Sequence, residues 1–405
     1  MPGPLSHITV LDLSRVMAGP WAGQMLGDLG ADVIKVERKG VGDDTRGWGP
    51  PYMTGKDGKA TGESAYFLSV NRAKRSIEVD LSDPDDCAVV RALAARSDIL
   101  LENFKVGTLA RYGLGYDDLK AQNPGLVYCS ITGFGADGPR ANQVAYDFMI
   151  QAMGGLMSIT GERDGAPGGG PQKVGIPIID IMTGMYSTVA VLAALSRRAQ
   201  TGEGDYVDIG MLDVSAAMLA NQAMNHLVSG ATPQRRGNKH PNIQPQDVFP
   251  VKDGHIVLAV GNDEQFRRFA EALGRPELAE DPRFEKNTGR VENLDVLHPL
   301  ITELFAARRT DEWVEILGRH SVPCGPINSI PRVFEDPQIR HRNMVRRVKH
   351  PGNDDLKLVV SPMNFANAPL SFDRPPPLLG EHSCEVRASL SGAKTEGGAD
   401  DRETH

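Results

Sequence analysis

Asp180 is the carboxylate in this sequence best placed for chemistry. It follows the apolar run Ile176 to Ile179 and precedes a long amphipathic stretch that closes with Arg197, Arg198 and Gly202. That spacing predicts a helix whose basic last turn suits the negative end of its dipole. Asp180 is expected at its N-cap, with a side-chain oxygen accepting a backbone N–H. The same position favours the charged carboxylate, because dipole and amides stabilise it, and an ionised carboxylate can act as a nucleophile. Helix cap and nucleophile are compatible readings of one residue. Asp147 and Asp213 read as capping or interface groups.

Cations collect where an anionic ligand would need them. Glu37 and Arg38 close the second strand, Arg72, Lys74 and Arg75 stand just before the strand SIEVDL, and Arg111 follows Asn103 and Phe104. Each run alone reads as solvated surface. Several nevertheless fall at strand carboxyl ends or in the loops beyond, where open α/β sheets bind ligands. A phosphorylated, adenine-bearing ligand would find cations there, with Phe104 to cover an apolar part. The first turn, SRVMAGP, joins a strand to a helix with free N-terminal amides, which favours an anion. GxSxG, HExxH, a Walker GK[ST] and a GxGxxG after the first strand are absent, which weighs against serine hydrolase, zincin, P-loop and dinucleotide-dehydrogenase chemistry.

The elements that must hold these residues alternate. Strands are expected at Ile8–Leu13, Asp32–Glu37, Ser76–Val79, Ile99–Glu102, Leu126–Ile131 and Tyr206–Ile209, with helices between, at Trp21–Leu29 and Asp83–Ala95 among others. This is the pattern of a doubly wound α/β sheet. A helix is expected over Gln143–Leu156, then the glycine-rich loop GERDGAPGGGPQKVG. The composition of residues 229–245, SGATPQRRGNKHPNIQP, reads as a linker. Beyond it, 246–329 forms a smaller α+β unit that opens with a hairpin turning at Lys252, Asp253 and Gly254. Residues 1–228 and 330–388 make the large domain, and 389–405 read as a disordered tail.

Composition narrows the function. Lys plus Arg number 44 against 52 Asp plus Glu, a formal charge of -8, so no global positive field draws the chain to nucleic acid or anionic lipid. Any anionic ligand must meet a local basic pocket. Cys87, Cys129, Cys324 and Cys384 are far apart, with no CxxC and no zinc set, as in a reduced cytoplasmic protein. The apolar run Met185 to Leu195 is short of the roughly 20 residues a membrane span needs, and the start MPGPLSHITV shows no export signal.

Several strings together carry a resemblance: RVMAGPWAGQMLGDLGADVIKVER, NRAKRSIEVD, LENFKVGTLARYGLGY, YCSITGFGADGP, DIMTGMYSTVAVLAAL, TGEGDYVDIGMLD and PPPLLGEH. In number and order they resemble the class III CoA-transferase (CaiB/BaiF) family from about Leu5 to Val386. GDDTRGWGPPY, YCSITGFG and CGPIN look closest to its dicarboxylate branch, which includes succinate to hydroxymethylglutarate CoA-transferase. The resemblance implies an interlocked homodimer, each subunit a ring threaded by the other, with a Rossmann-like large domain and a small α+β domain. It implies a nucleophilic Asp180 in the D-x-x-T-G-M context, and CoA contacts at Arg15, Val16, Ala18, Arg38, Asn103, Phe104, Arg111, Tyr146 and Met211.

The implied reaction moves CoA from an acyl-CoA, succinyl-CoA by branch, to a small carboxylic or dicarboxylic acid through an aspartyl anhydride and thioester. The CoA thioester is a substrate, with no permanent cofactor and no metal. Oxyanions are expected to meet backbone amides at the start of the Asp180 helix. Met17, Arg46, Arg72, Gly261 and Asn262 are the candidate substrate pocket, the arginines to pair with a distal carboxylate. Met17 replaces a glutamine of formyl-CoA transferase, its glycine flap shrinks to Gly261, Asn262 and Asp263, and its lysines become Ser82 and Val144. All three departures weigh against oxalate and formyl-CoA. Tyr146 stands where the racemase branch has histidine, which removes a second acid/base. A 2-methylacyl-CoA epimerase and a non-catalytic CoA-binding protein are the alternatives.

Overall fold

Six strands form one sheet, β1 (Thr9–Asp12), β2 (Asp32–Arg38), β3 (Lys74–Val79), β4 (Ile99–Glu102), β5 (Val127–Thr132) and β6 (Asp205–Gly210), apart from a small hairpin of Tyr52–Thr54 and Ala60–Ser64. The computed structural model describes residues 3–390. The strands stand in the order β3-β2-β1-β4-β5-β6, every neighbouring pair parallel. The order reverses at β1, which leaves a crevice beyond the carboxyl ends of β1 and β4. Alternate side chains leave opposite faces: Val10 and Val33 join one core cluster, Leu11 and Ile34 the other.

Helices α1 (Ala18–Asp28) and α4 (Ile178–Thr201) cover the first face through Ala22, Leu26, Val191 and Ala194. Helix α2 (Pro84–Ala94) covers the second through Val90 and Leu93. Between them in sequence, α3 (Asp147–Met153) is shorter than the expected Gln143–Leu156 helix and ends where Gly154 and Gly155 follow. Small residues let α1 approach closely. A Cβ at Gly23 would lie 2.6 Å from Asp12 Oδ2, and one at Gly184 of α4 2.6 Å from the Ala18 carbonyl oxygen. The start of α1 is thus pressed against the second turn of α4.

By length and composition α4, at 24 residues, could cross a membrane. It carries Asp180 in its first turn, however, and buries a face of Thr183, Gly184, Ser187, Thr188, Val191 and Ala194.

The chain divides into two compact units. The first holds the sheet, α5 (Met211–Met218) and the segments up to Leu156, Val174–Ala223 and from Arg340 onward. The second holds Met157–Lys173 and Met224–Ile339. Met157–Lys173, expected in the large domain, belongs to the second unit because it folds onto the supposed linker: the Gly237 N–H donates to the Gly161 carbonyl at 3.1 Å and Arg235 pairs with Asp164.

Residues 229–245 are therefore part of that unit. It contains an antiparallel sheet of β7 (Gln246–Val251), β8 (Gly254–Ala259) and β9 (Cys324–Pro326), with the hairpin turn where expected. Helices α6 (Asp263–Ala272), α7 (Leu294–Phe305) and α8 (Thr310–Arg319) pack on it around Phe249, Phe266, Phe269, Phe305 and Trp313.

The chain returns to the first unit through the hairpin β10 (Val345–His350) and β11 (Asn353–Val359) and ends in α9 (Ser383–Leu390). Ser389 and Leu390, expected in the tail, form its last turn, and Arg96 donates to both their carbonyls. Residues 391–405 lie outside the described residues.

Candidate active site

Asp180 is not the cap of its helix. Pro177 occupies the N-cap of α4, and Asp180 is the third helical residue. The capping carboxylate arrives from α3: Asp147 Oδ1 accepts the Ile179 N–H at 2.7 Å and the Asp180 N–H at 3.2 Å. The Ile178 and Ile181 amides reach the Ile176 and Pro177 carbonyls. The first four amides of α4 are thereby satisfied, so the expected oxyanion donors at this helix start are occupied.

The expected ionisation also changes. Asp180 is 9% exposed, and burial, followed by the Asp147 charge, pushes its pKa up from 3.8 to about 7. Desolvation outweighs the helix dipole. Nearby, burial and the charges of Asp180, Asp147 and Asp43 push the Tyr66 phenol up to about 12. Its ring meets Trp48 edge-on at 5.1 Å.

Asp180 opens into a cleft of about 550 Å³ at the sheet's crevice, lined also by Trp48, Met17, Ala18, Tyr146 and Met211. Arg15, Val16, Asn103 and Phe104 line the same cleft. Nine of the residues expected from sequence thus come together from five separate segments. The two loops that follow β1 and β4 are tied to each other. Asn103 Oδ1 accepts the Arg15 N–H at 2.8 Å and Asn103 Nδ2 donates to the Arg15 carbonyl at 2.7 Å. Asn103, expected to touch CoA, here holds the Arg15 backbone. The Arg15 guanidinium lies 5.0 Å over the Phe104 ring and 3.3 Å from Asp44.

Val16 has φ 72, in the left-handed region, which costs a β-branched residue about 1–3 kcal/mol. Its N–H donates to both oxygens of Asp43 at 3.3 Å. Helix α1 begins directly after it with Met17 at the N-cap and no side-chain cap. No acceptor among the described residues takes the amides of Ala18 and Gly19. Ala18 lines the cleft, so its amide, unlike those of α4, is a free donor there.

Arg38 lines an adjoining cavity of about 250 Å³ that shares Arg15 and Phe104 with the cleft. Arg111 is exposed on the turn Leu109–Tyr112, its Nη2 3.4 Å from Thr108, which lines that second cavity. Two other arginines are not available. Arg46 pairs with Glu37 and Glu63 at 2.7 Å each and donates to the Pro377 carbonyl. Arg72 forks onto both oxygens of Asp28 and donates to the Val359 carbonyl. Both are buried, their forks filled by residues distant in sequence.

Gly261 and Asn262 belong to the second unit. Asn262 caps α6 by accepting the Gln265 N–H, and Gly261 N–H donates to Gln265 Oε1. Asp147, expected as a capping or interface group, does cap a helix, but one 32 residues on, a partner that nothing local in the sequence identifies. Among the described residues no group of three or more His, Cys, Asp or Glu is arranged for a metal ion.

Residues 5–383 match the CoA-transferase family III profile. The chain is 47% identical over 388 residues to the succinate–glutarate CoA-transferase of Agrobacterium fabrum, covering 96% of each. It is 40% identical over 383 residues to the succinyl-CoA:glutarate CoA-transferase of Mus musculus, covering 95% of this chain and 85% of that one. The crystal structure of a CaiB/BaiF family protein from Brucella suis superposes with a TM-score of 0.84 at 46% identity, covering 96% of this chain and all of the other.

Proposed function

The chain belongs to CoA-transferase family III and is a CoA-transferase, and from that premise we propose that it moves CoA from succinyl-CoA to a short dicarboxylate, glutarate foremost, with Asp180 as nucleophile. The observation that carries this reading is Asp180 itself, a buried carboxylate in a cleft at the point where strand order reverses. Glutarate comes from the similarity to the two glutarate transferases.

The ionised Asp180 oxygen attacks the succinyl thioester carbonyl; the C–S bond breaks, giving a succinyl–aspartyl anhydride and CoA thiolate. The thiolate attacks the aspartyl carbonyl, releasing succinate and leaving an aspartyl–CoA thioester. Glutarate then attacks that carbonyl, again expelling thiolate, which takes the glutaryl carbon and frees Asp180. Each tetrahedral stage carries an oxyanion, for which the unpaired Ala18 and Gly19 amides are the donors. The apolar walls of Met17, Trp48 and Met211 keep water from the anhydride.

CoA enters with its adenosine in the cavity beside Arg38, Arg111 on its phosphates, and Arg15 between that cavity and the cleft. Arg15 and Lys105 are the cations lining the cleft, so a distal carboxylate is met there and not by Arg46 or Arg72. The enzyme works as an interlocked homodimer in the cytoplasm. Exposed Phe148, Met149 and Met153 on α3 and Met185, Tyr186 and Val189 on α4 support a covering second chain. Free Cys87 and Cys129 support a reducing compartment.

Mass spectrometry of mixtures of succinyl-CoA with a panel of dicarboxylates tests the substrate, the expected product being glutaryl-CoA with free succinate. Hydroxylamine trapping should modify Asp180. Rapid turnover of acetyl-CoA with none of succinyl-CoA, or an active Asp180→Ala protein, would overturn the reading.

A further inference from the structure

The cleft's strained residue stands on a buried ion pair that the chemistry above does not use. Asp43 and Lys35 lie 2.9 Å apart with both side chains fully buried. Lys35 Nζ also donates to the Ser14 carbonyl at 2.9 Å. Asp43 accepts the Thr45 N–H and hydroxyl at 2.9 and 2.7 Å as well as the Val16 N–H. The Ser14 N–H is taken by Asp12 at 3.0 Å, and both Arg15 backbone groups by Asn103. The backbone from Ser14 to the Val16 amide is therefore gripped group by group up to the one residue whose conformation valine resists. Immediately beyond that point the chain turns into Met17 and the free amides of α1.

We propose that Lys35 and Asp43 are positioning residues for CoA transfer: they force Val16 into the left-handed region and so aim the Met17–Gly19 backbone at the carbon that Asp180 attacks. Both also line the cavity beside Arg38, but with no exposed side-chain surface they act on the transfer through Val16. Lys35 anchors the loop at Ser14 and steers the Asp43 carboxylate; Asp43 pulls on the Val16 N–H. Their low hydration suits the task, because a dry ion pair has no water with which to exchange its partners. Burial opposes the charge on Asp43, yet Lys35 and the Thr45 bonds hold its pKa down at about 2. The Asp43 carboxylate of the clamp therefore stays charged at neutral pH.

The inference rests on the reading of Asp180 as nucleophile, and strain gives it a distinct test. Glycine adopts φ near +70° without force, so an enzyme with glycine at position 16 needs no clamp. Asp43→Asn keeps an oxygen for Thr45 but sets an NH2 against Lys35. It should lower kcat about a hundredfold, the effect of misplacing a reacting group by about 1 Å, with a smaller change in KM. Adding Val16→Gly to Asp43→Asn should recover at least tenfold in kcat, read by single turnover per folded active site. If Asn beside Lys35 impairs folding, Asp43→Asn with Lys35→Met removes both charges together and is compared with and without Val16→Gly. A purely structural role predicts that thermal stability and activity fall together and that glycine restores neither. That result, or an Asp43→Asn enzyme with unchanged kcat, overturns the proposal. Asp180→Ala in the same assay separates the two readings: if it transfers CoA, the nucleophile assignment fails whatever position 16 does.

Discussion

Replacing Asp180 by asparagine should destroy transfer and stabilise the protein, the second effect only at higher pH. The carboxyl has a pKa of 3.8 in an open chain and about 7 in the fold. Between those values the folded protein keeps a proton that the unfolded chain has released, so stability falls as pH rises from about 4 to about 7 and is level outside that window. Complete, the penalty is at most about 4 kcal/mol. Asparagine has the same shape and never titrates. The stability advantage of Asp180→Asn should therefore widen by about 2–3 kcal/mol between pH 5 and pH 8. For a chain of this length that is about 3 °C in Tm. Thermal unfolding of both proteins at the two pH values reads it directly, and succinyl-CoA turnover should fall at least about a thousandfold. An advantage independent of pH would mean that Asp180 is ionised in the fold at pH 5, and the argument from burial would be wrong.

Asp147→Asn leaves an oxygen for the Ile179 and Asp180 amides but removes the neighbouring charge. The rise of kcat/KM with pH, centred near 7 in the parent, should move to lower pH, and a profile that stays in place would show that burial alone sets the Asp180 pKa. Gly184→Ala puts a methyl 2.6 Å from the Ala18 carbonyl. It should cost about 1–3 kcal/mol in chemical denaturation and lower kcat by displacing the start of α1; an unchanged midpoint would refute the close approach. Arg46→Ala strands Glu37 and Glu63 and should destabilise by about 3–5 kcal/mol without altering the order of preference among acceptor acids. A changed preference at unchanged Tm would return Arg46 to the substrate pocket.

Strands were legible in the sequence because they depend on near neighbours, and the cleft because it follows from the edge rule of a parallel sheet. The run Ile99–Glu102 reads as a buried strand from its own four residues and is one. The loops after β1 and β4 meet because a parallel sheet puts all its carboxyl ends on one edge, so Arg15, Phe104 and Asp180 converge without any knowledge of side-chain contacts. Arg46 and Arg72 were misread for the opposite reason. A free guanidinium and one filled by a carboxylate have the same local sequence, and the Arg72 partner, Asp28, is 44 residues away.

Asp180 shows how one distant contact can reverse a local inference. An aspartate at a helix start is ordinarily held ionised by the open amides around it. Here Asp147 reaches from another helix and takes those amides. Asp180 is left with the burial and without the hydrogen bonds, and it gains a like charge as neighbour. Each change raises its pKa, so what local sequence reads as a stabilised anion becomes a carboxylate poised near neutrality. For the proposed nucleophile, which would form an anhydride and be released at the end of the cycle, this is the more useful state, since a carboxylate under strong hydrogen bonding is stable but sluggish in attack. The α4 amides that would have quieted it are taken by Asp147, while the Ala18 amide, on a residue that lines the same cleft, has no acceptor among the described residues.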